Sequence, residues 1–382
     1  MPTQEIRFSL PDIGDAEVSA ATRALTSGWI TTGEECNALE RELAEYLGVE
    51  HVVAVSSCTA ALEIAVANLG LPCGARIGMP TWTFVSTAIA PYHRGLWPVP
   101  LDIEPVSFNL CPTALAAALE DGLDAVIGVH FAGTPIAEEI HDLCRSAGVP
   151  LIEDAAHALG ASDHRGAVAG QGTAGCCYSF YATKNLTSAE GGAIATDDPE
   201  LAAFAQSFRL HGLSRDAWAR YTPGARTGSY DILGDGLKAN LPDVLAAVAR
   251  AQLQRFPTLQ QRRRELALRY REVLAPIDGL RVVPEAPSPG SADHLMVVVL
   301  PEGVDRSVVQ KQLGEESIGT SVHFQPLHTF QWFADHGVVT GPGGTPVADE
   351  HAERVLSLPF HTRLDDDDVD RVGEALRRAL DG

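Results

Sequence analysis

Between about residue 50 and residue 196 the chain repeats one pattern, a short β-branched or apolar run followed by a helical stretch rich in Ala and Leu. Strands separated by helices are joined by crossovers and lie parallel, in a sheet covered by helices on both faces. The expected strands are His51–Ser57, Arg76–Pro80, Trp97–Ile103, Ala125–Phe131, Pro150–Asp154, Cys176–Phe180 and Gly192–Thr196, with crossover helices at Thr59–Leu69 and Ile136–Ala147. Seven strands make one wide, mainly parallel sheet rather than a small nucleotide module. The 382 residues are about twice the ~150 usual for one domain. The pattern divides them into a large α/β domain, residues 1–254, and a smaller C-terminal α+β domain, residues 255–382. In the second part the spacing predicts strands at Leu295–Leu300 and Thr320–Phe324 and helices around Val304–Leu313 and Val369–Leu380. Pro242–Leu274 reads as a long helical stretch broken near Pro257, and Gly341–Pro346 as a surface loop. Residues 213–236 fit neither period and read as a long irregular loop.

Charge narrows the partners. With 28 Lys and Arg against 50 Asp and Glu the net charge is −22, which argues against nucleic acid or an anionic membrane surface as the main partner. No run approaches the ~20 apolar residues of a membrane span, and the amino terminus lacks the build of a secretory signal, so a soluble cytoplasmic protein is expected. The seven cysteines are scattered without CxxC pairs and read as reduced thiols. No metal site is expected, since His323 and His328 lie five apart across a proline and His157 and His164 flank a glycine turn. The acidic run Asp365–Asp368 suits the positive end of the last helix.

Four segments carry the chemistry. In Ser179-Phe-Tyr-Ala-Thr-Lys184 a lysine follows an apolar strand and precedes Glu190-Gly191-Gly192, the setting of a Schiff-base lysine. Asp154 ends another apolar strand thirty residues earlier. Ser56-Ser57-Cys58-Thr59-Ala60 is a strand, a small-residue turn and a helix start, whose free N–H groups suit a phosphate. Pro80-Thr81-Trp82-Thr83-Phe84 offers an aromatic cover. Each has a plainer reading: a surface lysine, an ordinary helix cap, core aromatics. Together, at the shared carboxyl edge of parallel strands, they meet the needs of an aldehyde cofactor with a pyridine ring and a phosphate.

With these segments the whole chain resembles the DegT/DnrJ/EryC1/StrS family of pyridoxal-phosphate sugar aminotransferases. Ser27-Gly28-Trp29-Ile30-Thr31-Thr32-Gly33, Glu153-Asp154-Ala155-Ala156-His157, Val322-His323-Phe324-Gln325-Pro326-Leu327-His328 and Ser357-Leu358-Pro359 extend the likeness. The resemblance implies a three-layer pyridoxal-phosphate transferase fold. It also implies that Lys184 holds the cofactor through an imine and then carries the proton, that Asp154 pairs with the ring nitrogen, and that His157, where many relatives have Gln, lies near the phenolic oxygen. Cys58, Thr59 and Ser179 would hold the phosphate, Phe84 would stack on the ring, and Trp82 would stand at the pocket wall. Many relatives carry Gly at the place of Cys58. In Gly236-Leu237-Lys238-Ala239-Asn240-Leu241, Asn240 would reach the phosphate in the neighbouring subunit of a homodimer with shared sites.

The same resemblance implies transfer of an amino group from L-glutamate to a keto sugar, here a nucleotide-linked 4-keto deoxy sugar or pentose. Thr31 and Thr32 would lie toward the nucleotide, and His323 and the 213–236 loop toward the sugar. Arg215, Arg220 and Arg226 would meet the diphosphate or be solvated loop charges. The alternative acceptor is a free keto-cyclitol or a similar non-nucleotide substrate. A dehydratase would carry His at the lysine position, and a binding protein that lost the chemistry would have no need of Lys184, Asp154, Ser179 and Thr59 together.

Overall fold

The computed structural model describes residues 5–214, 230–288 and 290–381. Its strands in the first part are β1 (His51–Val55), β2 (Arg76–Pro80), β3 (Trp97–Leu101), β4 (Ala125–Val129), β5 (Leu151–Asp154), the short hairpin β6 (Ser162–Asp163) and β7 (Gly166–Ala167), β8 (Cys176–Ser179) and β9 (Gly192–Thr196). All seven expected strands join one sheet in the order β1-β9-β8-β5-β4-β2-β3. Only β9 runs against its neighbours, β1 and β8, and the other contacts are parallel. The carboxyl ends of β1, β2, β5 and β8 therefore share one edge. The strands are buried on both faces, which is why they read as continuous apolar runs.

Ahead of, between and after these strands lie α1 (Asp15–Thr26), α2 (Glu34–Leu47), α3 (Cys58–Asn68), α4 (Ser86–His93), α5 (Pro112–Glu120), α6 (Glu138–Ala147) and α7 (Pro199–Phe208). α3, α4 and α7 cover one face, packing Ile64, Ala88 and Ala205 with Ile127 and Ile152. α5 and α6 cover the other, where Leu115 and Ile140 meet Val126 and Leu151. Thus successive residues of β5 face opposite layers, the alternation expected of a strand. At α2, Gly33 offers no side chain, and Asp243 supplies the cap instead, accepting the N–H groups of Gly33 (2.7 Å) and Cys36 (3.1 Å).

The long helix α8 (Asp243–Leu274) is continuous, and the break expected near Pro257 is absent. Proline removes one helical hydrogen bond at a cost of ~3 kcal/mol. Against that, Phe256, Leu259 and Leu266 are buried, and the helix is packed along its length, by Ala20 and Ala24 of α1 at its start and by Val369 and Val372 of the last helix at its end. The expected division at residues 254 and 255 falls inside this helix, which is shared by both halves of the molecule.

The second part has three antiparallel strands, β10 (Arg281–Val283), β11 (Met296–Val299) and β12 (Val355–Leu358), in that order. Its helices are α9 (Arg306–Glu315), α10 (Gln331–Asp335), α11 (Pro346–His351) and α12 (Asp366–Asp381). The strand expected over Thr320–Phe324 does not form. Only Ser321 exchanges backbone bonds, with Ser357, and the carbonyl of His323 is taken instead by the indole N–H of Trp82 at 3.1 Å. That side-chain bond turns the segment away from the sheet and toward the strand edge of the large domain. Among the described residues no helix is long and apolar enough to cross a membrane.

Candidate active site

A cavity of about 450 Å³ opens at the shared edge of the sheet, within the usual range for a small-molecule site. Ser57, Cys58 and Thr59 enter it from the β1 to α3 turn, Phe84 from the segment after β2, Asp154 and His157 from the end of β5, and Ser179 and Lys184 from the end of β8. His323 joins from the second part of the chain. Eight of the expected residues, Cys58, Thr59, Phe84, Asp154, His157, Ser179, Lys184 and His323, are thus brought together.

Removal from bulk water lowers the Lys184 amine to about 8, against the raising influence of Cys58 and Asp154. Asp154 is 4 % exposed, and burial raises its carboxyl, opposed by a hydrogen bond donated by Thr87 Oγ1 to Oδ2 (2.8 Å) and by the N–H of Ala156 to Oδ1 (3.2 Å). Burial, Lys184 and His323 together hold His157 neutral, and its buried Nδ1 has no partner. An orphaned lone pair costs less than an orphaned N–H, so the proton belongs on Nε2. His323 is pushed down to about 4, chiefly by burial, and its Nδ1 lies 3.0 Å from Ser357 Oγ.

The β1 to α3 turn has the strand, small-residue turn and helix start that the sequence suggests. Ser57 caps α3, its hydroxyl accepting the N–H of Ala60 at 3.1 Å, and Cys58 takes the first helical position, outside the left-handed region. Any Cβ on Gly192 would stand 2.7 Å from the backbone nitrogen of Cys58 and 2.6 Å from Ser57 C, so glycine is required for β9 to start against this turn. A chain with an enclosed amine, a buried carboxylate, a helix amino end and the half-exposed ring of Phe84 around one cavity fits pyridoxal phosphate.

Other expected residues are not part of this cavity in the single chain. Trp82 is fully buried against Phe108 at 5.0 Å rather than at the cavity wall, because its indole bonds the backbone of His323 and is drawn into the core. Thr31, Thr32 and Asn240 do not line the cavity of their own chain. Asn240 Nδ2 donates to Thr32 Oγ1 (2.6 Å), which donates to the carbonyl of Leu241 (2.6 Å), and Lys238 Nζ donates to Asn240 Oδ1. Arg215, Arg220 and Arg226 lie outside the described residues.

Solved relatives carry the cofactor. The sequence profile of the DegT/DnrJ/EryC1/StrS aminotransferase family matches residues 11–377. The chain belongs to this family. It is 38 % identical over 381 residues to the spore coat polysaccharide biosynthesis protein SpsC of Bacillus subtilis, covering 98 % of this chain and 97 % of that one. Helicobacter pylori PseC, an aminotransferase involved in pseudoaminic acid biosynthesis, superposes with a TM-score of 0.91 at 25 % identity, covering 99 % and 100 % of the two chains. Spr1654 of Streptococcus pneumoniae in its PMP form gives 0.90 at 28 % identity, covering 99 % and 98 %, and its PLP form gives 0.89. This family member is accordingly a pyridoxal-phosphate-dependent sugar aminotransferase.

Several residues at its site were not singled out by the sequence. Phe8 enters the cavity from the N-terminal segment and stacks on His323 at 5.4 Å. The ring of His294 lies tilted against that of His157 at 4.3 Å, and its Nδ1 lies 2.8 Å from Asn185 Oδ1. Thr87 is the partner of Asp154. The only trace of Thr87 in the sequence is a second threonine four residues after Thr83. His294 shows itself only as a polar residue at the mouth of an apolar run.

Behind the cavity, Glu153 faces the α6 layer and is fully buried. Its Oε1 lies 2.9 Å from Arg165 Nη2, 3.5 Å from His141 Nε2 and 3.6 Å from His130 Nε2. Burial alone would raise this carboxyl, but His130 and Arg165 hold it down to about 2. His130 Nδ1 accepts the N–H of Ile136, which leaves its proton on Nε2, toward Glu153.

Proposed function

We propose that this aminotransferase moves an amino group from L-glutamate to a nucleotide-linked 4-keto deoxy sugar or pentose, in two half-reactions at the cavity described above. The observation that carries the reading is the single cavity shared by Lys184, Asp154 and the amino end of α3. The likeness to SpsC and PseC, named for polysaccharide and pseudoaminic acid biosynthesis, supports an activated sugar as acceptor.

Pyridoxal phosphate, when bound, supplies an electron sink for the bond broken at the substrate carbon. Lys184 would hold it covalently and, once freed, take and return the proton. With its amine at about 8, a useful fraction is unprotonated near neutral pH, as a general base requires. Asp154 would hold the protonated ring nitrogen, and His157, neutral with its proton on Nε2, would donate to the phenolic oxygen. Cys58, Thr59 and Ser179 would bind the phosphate, with Phe84 over the ring. Asn240 bonds Thr32 and does not line its own cavity, which accords with a homodimer in which Asn240 completes the partner's phosphate site and Thr31 and Thr32 adjoin the nucleotide. His323 would border the sugar.

The test is to load the purified protein with cofactor, follow its visible absorbance on adding glutamate, and then challenge it with 4-keto nucleotide sugars and free keto-cyclitols. Bleaching by glutamate and recovery with a nucleotide sugar alone is the expected result. Recovery only with a free cyclitol overturns the acceptor, and no bleaching by glutamate overturns the donor.

A further inference from the structure

The carboxylate of Asp154 is served by a directed chain of hydroxyls. Thr87, fully buried on α4, spends its hydroxyl on Asp154 Oδ2 at 2.8 Å, and Thr83 Oγ1 lies 2.8 Å from Thr87 Oγ1. An ionised carboxylate only accepts, and a threonine has one hydroxyl proton. The Thr87 proton is therefore committed to Asp154, and the proton shared by the two threonines must come from Thr83. Direction is thus fixed from Thr83 to Thr87 to Asp154. Thr83 is 2 % exposed and lines the cavity, so the chain begins at the cavity surface and ends on the carboxylate. On the other oxygen, Oδ1, the N–H of Ala156 donates at 3.2 Å, and the Cys58 thiol lies 3.8 Å away with the carbonyl of Cys177 nearer to it, at 3.4 Å.

We propose that Thr83 and Thr87 are positioning residues, a two-hydroxyl relay that keeps Asp154 ionised and aims its carboxylate at the ring nitrogen of the bound cofactor. Each donor polarises the next in such a chain, so Thr87 is a stronger donor with Thr83 behind it than alone. The relay answers a specific need. Burial favours the neutral acid, and among the groups that oppose it the Thr87 hydroxyl is foremost. The other titratable groups felt at Asp154 are Lys184, His130 and the thiols of Cys58 and Cys177. Those thiols are held neutral by burial, so the hydroxyl chain is the polar support on the Oδ2 side. The proposal rests on the reading of Asp154 as the ring-nitrogen partner.

The experiment uses the full-length protein loaded with cofactor labelled with ¹⁵N in the ring. The ring-nitrogen signal is followed against pH, with cofactor affinity measured in parallel, for wild type, T87V, T87S, T83V and D154N. D154N should lose the protonated signal. T87V should move the titration midpoint toward that of D154N and weaken cofactor binding roughly ten- to hundredfold, the effect of losing one hydrogen bond to a charged group. T87S should restore wild-type behaviour, and T83V should shift the midpoint the same way by less. If D154N loses the signal while T87V keeps the wild-type midpoint, the relay is refuted and Asp154 stands. If D154N itself keeps the signal, the reading of Asp154 fails. T83V leaves the bond from Thr87 to Asp154 intact, so should T87V not fold, an unchanged midpoint in T83V overturns the relay.

Discussion

Glu153 and Asp154 are neighbours on β5, chemically alike and almost equally buried, yet the fold moves their acidities in opposite directions. Glu153 faces the α6 layer with Arg165 at 2.9 Å, and its carboxyl is held down to about 2. Asp154 faces the cavity with hydroxyl and amide donors, and its carboxyl is raised. The first has its countercharge built into the protein. The second has donors but no adjoining cation beyond Lys184, and it borders a space that a cationic ring would fill. A pair of carboxylates driven apart in this way separates structural work from chemical work within a single peptide unit.

The largest effects expected are on the cavity side. K184A should lower the transamination rate on the order of 10⁴-fold, because both covalent attachment and proton transfer go with it. D154N should cost on the order of 10³-fold, the scale of a lost electrostatic partner, with an unchanged urea midpoint. If D154N unfolds the protein while retaining its rate, the roles assigned to the two carboxylates are reversed. On the other side of the strand, E153Q should destabilise by about 1–3 kcal/mol, the cost of weakening a buried charge-assisted hydrogen bond, because Arg165 keeps Asp163 Oδ2 at 2.6 Å as its counterion. Its folded fraction should turn over at a rate close to wild type. Urea titration at constant m, alongside single-turnover kinetics, separates the two outcomes.

Acid sharpens the same contrast. A carboxyl lowered from 4.5 to about 2 contributes stability that is present above about pH 4.5 and is lost as pH falls toward 2, amounting to about 3 kcal/mol. Asp154, raised, has the opposite sign: the folded protein binds its proton more readily, so acid favours the native state through that group. E153Q should therefore flatten the decline of stability below pH 4.5, whereas D154N should make it steeper. Equilibrium unfolding of the cofactor-free protein between pH 3 and pH 6 would expose a common slope in both variants, which would defeat the comparison.

How far the sequence foretells this arrangement follows from what period and punctuation encode. The strands of the large sheet were legible because burial on both faces leaves continuous apolar runs, and with them the edge where Lys184, Asp154 and Cys58 meet. The second part was read less well. Thr320–Phe324 has the β-branched start of a strand, but a bond from Trp82, more than 200 residues away, decides its path. Pro257 marks a break by local rules, and long-range packing of α8 overrides it. Thr87, Phe8 and His294 were invisible for the same reason: each reaches the site through a contact distant in sequence, with Asp154, His323 and His157 respectively, and none stands in a pattern of its own. The Glu153 cluster is the extreme case, because its members come from the residue after β4, from β5, from α6 and from the β6 to β7 turn.

Within that cluster the smallest effect is the most discriminating. Arg165 Nη1 lies 3.2 Å from His141 Nδ1, and since a guanidinium only donates, Nδ1 must accept. The single proton of a neutral imidazole is then on Nε2, directed at Glu153 Oε1 at 3.5 Å. Burial pushes His141 down to about 4, so at pH 7 this ring contributes a dipole and the charge comes from Arg165. Glutamine carries the same pair of functions, an acceptor and an N–H donor. H141Q should therefore change stability by less than about 1 kcal/mol, while R165M, which removes the cation, should cost about 3 kcal/mol or more. Equal losses in the two variants would mean that His141 is protonated in the native state. Glu153 would then be balanced by two cations, and its environment would differ from that of Asp154 in the amount of positive charge more than in how closely it is placed.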